Sequence, residues 1–297
     1  MTTPTLEEAF GADRCQVLCE SMNEMSDKAV ALCSKYLEKP NMQMKNWIND
    51  QDPSQQPTLN HLYVLGSYAS AHYLMNVEDH TQTIVHLLSC PSGTAHLWSY
   101  MSLARVVAES ACHFAELEDQ KVDPELRLLR GIACHINNIT GSKQVVSDIS
   151  STTEHPSLAN AIDGYLDDIE QLLKKVDISF RRGNRGRVGA LVKGETRCPL
   201  KVNMTDIQNK RLTHVPAAYR LGSAVTHGQH YTLSTKYVGG EIHAKYDIEL
   251  LVHAVLICLD GLMAMVVACC DAPTSYMKRS SELMKRIISV KRIRECA

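Results

Sequence analysis

The stretch Leu250–Cys270, LLVHAVLICLDGLMAMVVACC, decides the fold. It is about the length of a membrane span and apolar on every side of a helix. Two side chains inside it point elsewhere: His253 near its start and Asp260 at its middle, with Glu249 just before. A carboxylate at the centre of a bilayer costs roughly 2.5–3.5 kcal/mol. A helix apolar all round is also what the middle of a helical bundle requires. The segment is therefore read as the central helix of an all-α bundle, and no membrane span is expected.

Outward from that helix, apolar residues recur at helical spacing. Asp13 to Leu37 carries Val17, Leu18, Met22, Met25, Ala29, Leu32, Cys33 and Tyr36 three or four residues apart. Asn41 to Thr58 is polar and holds Pro53 and Pro57, which predicts a loop. Helices are predicted from Leu59 to Val77 and on to Cys90, where Pro91-Ser-Gly93 ends them. Thr94 to Leu117 is amphipathic. Asp123-Pro124 is a cap followed by proline at the first helical position, opening a helix toward Asn138. Ser147 to His155 reads as a loop and Pro156 to Val176 as a helix. Asp177 to Val202, with Gly183, Gly186, Gly189 and Gly194, reads as a Gly/Arg-rich irregular or hairpin insert. Thr205-Asp-Ile-Gln208 matches a capping box. Pro216 opens a further helix, Val238-Gly-Gly240 is a turn, and Pro273 starts a basic helix. The expected organisation is one helical domain over 1–297. Its helical halves are 13–146 and 156–271, with the insert at 177–203 and the C-terminal helix at 273–294.

Composition excludes some functions. The formal net charge of -2 gives no bulk attraction for nucleic acid, so any such affinity must come from local patches. The 11 cysteines form no C-x-x-C, and an odd number in a chain of 297 residues suits reduced thiols better than a disulfide scaffold. The N-terminus has no basic and apolar leader pattern. A cytoplasmic protein is expected.

The segment Tyr219-Arg-Leu-Gly-Ser-Ala-Val-Thr-His-Gly228 carries the chemistry. On a helix, Tyr219, Arg220, Ser223 and His227 fall within an arc of roughly 100°. Arginine offers a fixed fork of donors to a phosphate. Histidine moves protons near neutral pH. Together they suit metal-independent RNA cleavage, the imidazole serving the ribose 2′-OH or the leaving oxygen and the guanidinium the charge on phosphorus. The plainer alternative is a polar bracket between helices. Arg105 and Glu109 form an i,i+4 pair in apolar surroundings. They either complete that bracket or act directly, with Glu109 orienting His227 and Arg105 joining Arg220 in an anion site.

Arg105-x-x-x-Glu109, Asp123-Pro124 with Arg127 and Arg130, and Tyr219-Arg-x-x-Ser-x-x-x-His-Gly228 occur in that order. This order resembles a group of all-helical actinobacterial proteins with no established activity. Arg220 and His227, six residues between them, also resemble the Arg-to-His signature of HEPN-type ribonucleases and abortive-infection proteins. Leu221 stands where that family carries a polar residue. The resemblance implies a ribonuclease in a defence or toxin-like role, with His227 and Arg220 catalytic. Tyr219, Ser223, Arg105 and Glu109 would support them, in a homodimer. A non-enzymatic scaffold or regulator and a small-molecule or anion sensor are the alternatives.

Two basic clusters would attract RNA phosphates. Arg181, Arg182, Arg185, Arg187, Lys193 and Arg197 lie in the insert. Lys278, Arg279, Lys285, Arg286, Lys291, Arg292 and Arg294 load the C-terminal helix. Neither is interleaved with aromatic residues, so base stacking is not indicated. The histidines His61, His72, His80, His86, His96 and His113 make no H-E-x-x-H, and no metal site is expected. No pattern calls for a cofactor. There is no G-x-S-x-G for a serine hydrolase and no Walker loop.

Overall fold

The computed structural model describes residues 5–39, 41–90, 97–150, 156–182, 188–215, 237–238, 241–242, 244–270 and 273–292. Helices dominate: α1 (Leu6–Phe10), α2 (Ala12–Leu37), α3 (Met42–Asn49), α4 (Gln56–Leu88), α5 (Leu97–Glu118), α6 (Pro124–Ser150) and α7 (Pro156–Lys174). After the strands β1 (Ser179–Arg182), β2 (Val188–Lys193) and β3 (Thr196–Pro199) comes α8 (Met204–Arg211). The short β4 (Tyr237–Val238) and β5 (Glu241–Ile242) precede α9 (Ala244–Cys269) and α10 (Thr274–Arg292). The fold is all-α, a multi-helix bundle with a small sheet in the insert.

The chain groups into two compact units by packing rather than by chain order. Unit 1 takes Met1–Glu38, Tyr73–Glu116 and Asn203–Ala297, and unit 2 takes Lys39–His72 and Leu117–Val202.

In unit 1, α9 is the predicted central helix and packs on α2 and α10. Leu251, Val255, Cys258, Leu259, Leu262, Met265 and Val266 are buried along its length. Leu18, Met22, Met25, Ala29 and Cys33 of α2, the row read from spacing, meet the same core. Each large apolar side chain taken out of water there contributes about 1.5–3 kcal/mol. Leu250–Cys269 is long and apolar enough to cross a membrane by length and composition, yet most of it is buried inside the protein. Some polar groups in this core are paired, whereas the buried Ser21 and Ser280 hydroxyls and the Gln208 amide have no hydrogen-bond partner among the described residues. Ser26 and Thr81 share a hydrogen bond of 2.7 Å, and the Tyr276 hydroxyl donates to the Met25 carbonyl.

In unit 2, Leu59 and Leu62 of α4 pack with Leu128, Leu129 and Ile132 of α6 and Leu173 of α7. The helices α4 and α6 approach at Gly66 and Gly131, where a Cβ on Gly66 would lie only 2.9 Å from the Gly131 Cα. The insert is an antiparallel meander in the order β1-β2-β3. Leu191 pairs with Cys198, both buried in this core, and the register slips between Arg181 and Arg182.

Several local expectations change. The polar stretch after Asn41 contains α3, because the Asn41 side chain accepts from the Met44 amide and caps a turn that buries Met44 and Ile48. The two helices expected between Leu59 and Cys90 are one, since no breaker lies between Val77 and Leu88. α6 continues to Ser150, past its expected end near Asn138. α8 is capped by Asn203, two residues before the predicted capping box, through a 3.1 Å bond from the Thr205 amide. The start of α6 is as read, with Asp123 accepting from the Glu125 amide at 2.9 Å. The loop expected over Ser147–His155 is helical at residues 147–150, and the rest of it, the Pro91-Ser-Gly93 break and the glycines of the Val238-Gly-Gly240 turn lie outside the described residues.

Candidate functional site

Helix α5 carries Arg105, Glu109, Cys112, His113 and Glu116, which at helical spacing share a stripe roughly 100° wide. The predicted pair forms: Arg105 Nε donates to Glu109 Oε1 at 2.7 Å, the side chains being 17% and 30% exposed. The pair is neither dry nor fully in water. One turn beyond Glu109, His113 stacks on Tyr73 with ring centroids 4.7 Å apart and planes 9° from parallel. Burial lowers the His113 pKa from its ordinary value, while Glu109 and Glu116 pull it up. Ser110 accepts from the Asn76 side chain at 2.7 Å.

The chain leaving α8 is tied to this stripe and to α9. Glu116 receives Arg211 Nε at 2.7 Å and Lys210 Nζ at 3.1 Å. The buried Asp260 of α9 accepts from the backbone amides of His214 and Val215 at 2.8 and 3.2 Å. It also bonds His214 Nδ1 at 2.9 Å, with the His214 ring about half exposed. The one carboxylate in the apolar run Leu250–Cys269 of α9 is thus matched by three hydrogen bonds, as burial of a charge demands. Cys112 lies among these groups. Burial pushes its thiol up to about 12, against the pull of Arg211 and with Asp260, Glu116 and Glu109 adding to the rise. Burial raises Cys15, Cys19 and Cys198 as well. A raised pKa leaves these four thiols a small thiolate fraction near neutral pH, which argues against them as nucleophiles.

The geometry of the remaining candidates divides clearly. Tyr219, Arg220, Ser223 and His227 lie outside the described residues, beginning four residues beyond the Asp260 clamp. Arg185 and Arg187 also lie outside them. Arg181 and Arg182 sit on β1 opposite Ala190 and Val188. Lys285 and Arg286 are exposed on α10. Two residues of the basic clusters have structural partners instead. Lys193 Nζ donates to the Val176 carbonyl at 2.7 Å. Arg279 grips Glu24 of α2 with two bonds of 2.8 and 2.7 Å. With Lys28 it holds the Glu24 carboxyl down at about 2. Among the described residues no group of three or more His, Cys, Asp or Glu could hold a metal ion.

Sequence reasoning did not foresee the Asp260 clamp or the Glu116 cluster. The isolated Asp260 was a signal, since a lone carboxylate in an apolar helix needs donors from elsewhere.

Unit 2 has a polar recess of its own. Tyr63, Ser67, Ser70, Glu118 and Arg127 line a cavity of about 20 Å³, room for one water-sized molecule, with Gly66 and Gly131 in its wall. Ser70 Oγ donates to Glu118 Oε1 at 2.5 Å. The Arg127 side chain is buried, and neither of its terminal nitrogens has a hydrogen-bond partner among the described residues.

In comparison with known proteins, no family model, no curated protein and no solved structure matched the chain.

Proposed function

We propose that the protein cleaves RNA without a metal, by HEPN-like chemistry centred on Tyr219–Gly228, in a defence or toxin-like role and as a homodimer. The observation that carries this reading is the Asp260 clamp. It fixes the chain at His214 and Val215, directly before the segment that bears Arg220 and His227. A segment meant for proton transfer needs a rigid approach, because catalytic geometry tolerates errors of only a fraction of an ångström.

In this reading His227 is the acid or base at the 2′-OH or the leaving oxygen, and Arg220 clamps the phosphate. Tyr219 and Ser223 position the backbone, Glu109 orients His227, and Arg105 adds to the anion site. Lys285 and Arg286, with Arg181, Arg182, Arg185 and Arg187, draw the RNA backbone in.

The test is incubation of mixed RNA with the wild type and with His227→Ala of equal melting temperature. Cleavage by the wild type and its loss in the variant support the enzyme. A second reading, a structural bracket, is favoured by the 2.7 Å closure of Arg105 on Glu109, which already matches both charges. It is the outcome if the wild type leaves RNA intact and His227→Ala melts far lower.

A further inference from the structure

Three of the cysteines meet in unit 1, apart from the site above. Cys33 Sγ of α2 lies 3.6 Å from Cys269 Sγ at the end of α9, and Cys269 Sγ lies 3.8 Å from Cys270 Sγ. Cys33 and Cys269 are buried, whereas Cys270 is partly exposed. The three sulfur atoms thus lie in one contiguous row in the structure.

Sulfur atoms at van der Waals distance need only a small movement to bond, and thiol–disulfide exchange proceeds by one sulfur attacking another. The row runs from solvent to core, so an oxidising equivalent taken up at Cys270 can pass inward one sulfur at a time. We propose that Cys33, Cys269 and Cys270 form a redox modification site that takes a low-molecular-weight disulfide as oxidant and ends as a Cys33–Cys269 disulfide joining α2 to α9.

The steps balance. The Cys270 thiolate attacks the small disulfide, releasing one small thiol and leaving a mixed disulfide. The Cys269 thiolate attacks the Cys270 sulfur, releasing the second small thiol and forming a Cys269–Cys270 bond. The Cys33 thiolate then attacks the Cys269 sulfur, and Cys270 leaves as a thiol. In sum two protein thiols are oxidised, one small disulfide is reduced to two thiols, and Cys270 is regenerated. The product ties together two elements that share the core of unit 1, and Asp260 lies on one of them.

The test uses the folded full-length chain and oxidised glutathione. After acid quenching, free thiols are alkylated in denaturant and unreduced peptides are mapped by mass spectrometry. The expected result is a peptide pair joined through Cys33 and Cys269, lighter by two hydrogens. With Cys270→Ser the same pair should form at least about tenfold more slowly, as the relay loses its entry thiol. Cys33→Ser should yield no such pair and should retain glutathione on Cys270 or close a Cys269–Cys270 bond. Full alkylation of Cys33 and Cys269 in the wild type, with glutathione held on Cys270 alone, would overturn the proposal. So would an unchanged rate in Cys270→Ser. A circular dichroism spectrum matching the wild type confirms that each variant has folded before its rate is read.

Discussion

Asp260 in unit 1 and Arg127 in unit 2 are buried charges held in opposite ways. In unit 1 the Asp260 carboxylate, with no exposed surface, receives two backbone amides and an imidazole. In unit 2 the Arg127 guanidinium is 4% exposed, with both terminal nitrogens facing a small recess and unpartnered among the described residues. A buried charge met by main-chain donors fixes a segment of chain. A buried charge whose terminal nitrogens make no hydrogen bond fixes no segment of chain and recovers less of its desolvation cost. Unit 1 therefore holds the approach to the candidate site, while unit 2 spends its polar residues on a recess.

The largest effect should come from Asp260. Asp260→Ala strands the amides of His214 and Val215, and an unsatisfied buried donor costs about 1–3 kcal/mol. The expected loss is about 2–4 kcal/mol in urea unfolding. A loss below about 1 kcal/mol would mean that the clamp is not holding the chain.

Next is the close crossing in unit 2. Gly131→Ala would place a methyl 3.0 Å from the Gly66 Cα, against backbone that cannot turn aside. Overpacking of this kind costs about 1–3 kcal/mol. Gly261→Ala in unit 1 meets the Ala111 Cβ at 3.2 Å, with the nearest backbone, the Ala108 Cα, at 3.6 Å, and should cost less in the same titration.

A smaller effect is expected from pH. Burial holds the folded-state pKa of His113 below 6.5, so the unfolded chain takes up the proton first as pH falls. Its contribution to stability is complete above pH 6.5 and declines as pH drops below that value toward the lowered pKa. His135 in unit 2, lowered by burial as well, adds a slope of the same sign. His113→Phe keeps the stack on Tyr73 and should flatten part of the slope of melting temperature between about pH 7 and 5. An unchanged slope would mean that His113 does not titrate with unfolding.

The smallest effect belongs to Arg127. Arg127→Met removes a cation whose two terminal nitrogens make no hydrogen bond among the described residues and keeps most of the volume, so stability should change by less than about 1 kcal/mol either way. A loss comparable to that of Asp260→Ala would erase the contrast between the units.

Parts of this arrangement were legible in the sequence because their causes are local. The apolar run of α9, the Asp123-Pro124 start of α6 and the Arg105–Glu109 pair each depend on neighbours within a few turns. Other parts depend on distant chain. The donors to Asp260 come from residues 45 and 46 positions away, and the Glu24 that engages Arg279 lies 255 positions away. Composition alone placed Arg279 in a cluster that would attract RNA phosphates, whereas it is bound to Glu24. The α3 helix was hidden for a different reason, since its polar surface and the prolines after it outweigh the two side chains it buries. Nothing in the spacing of Arg127 foretold a buried guanidinium, which lines the same recess as Gly66 and Gly131 on separate helices.

The most direct measurement of the functional account is digestion of a single-stranded RNA in EDTA beside the same sequence built with 2′-deoxyribose. The expected result is cleavage of the ribose strand alone, with 2′,3′-cyclic phosphate ends, and none by an Arg220→Ala variant of unchanged melting temperature. An intact ribose strand after incubation with the wild type would contradict the account.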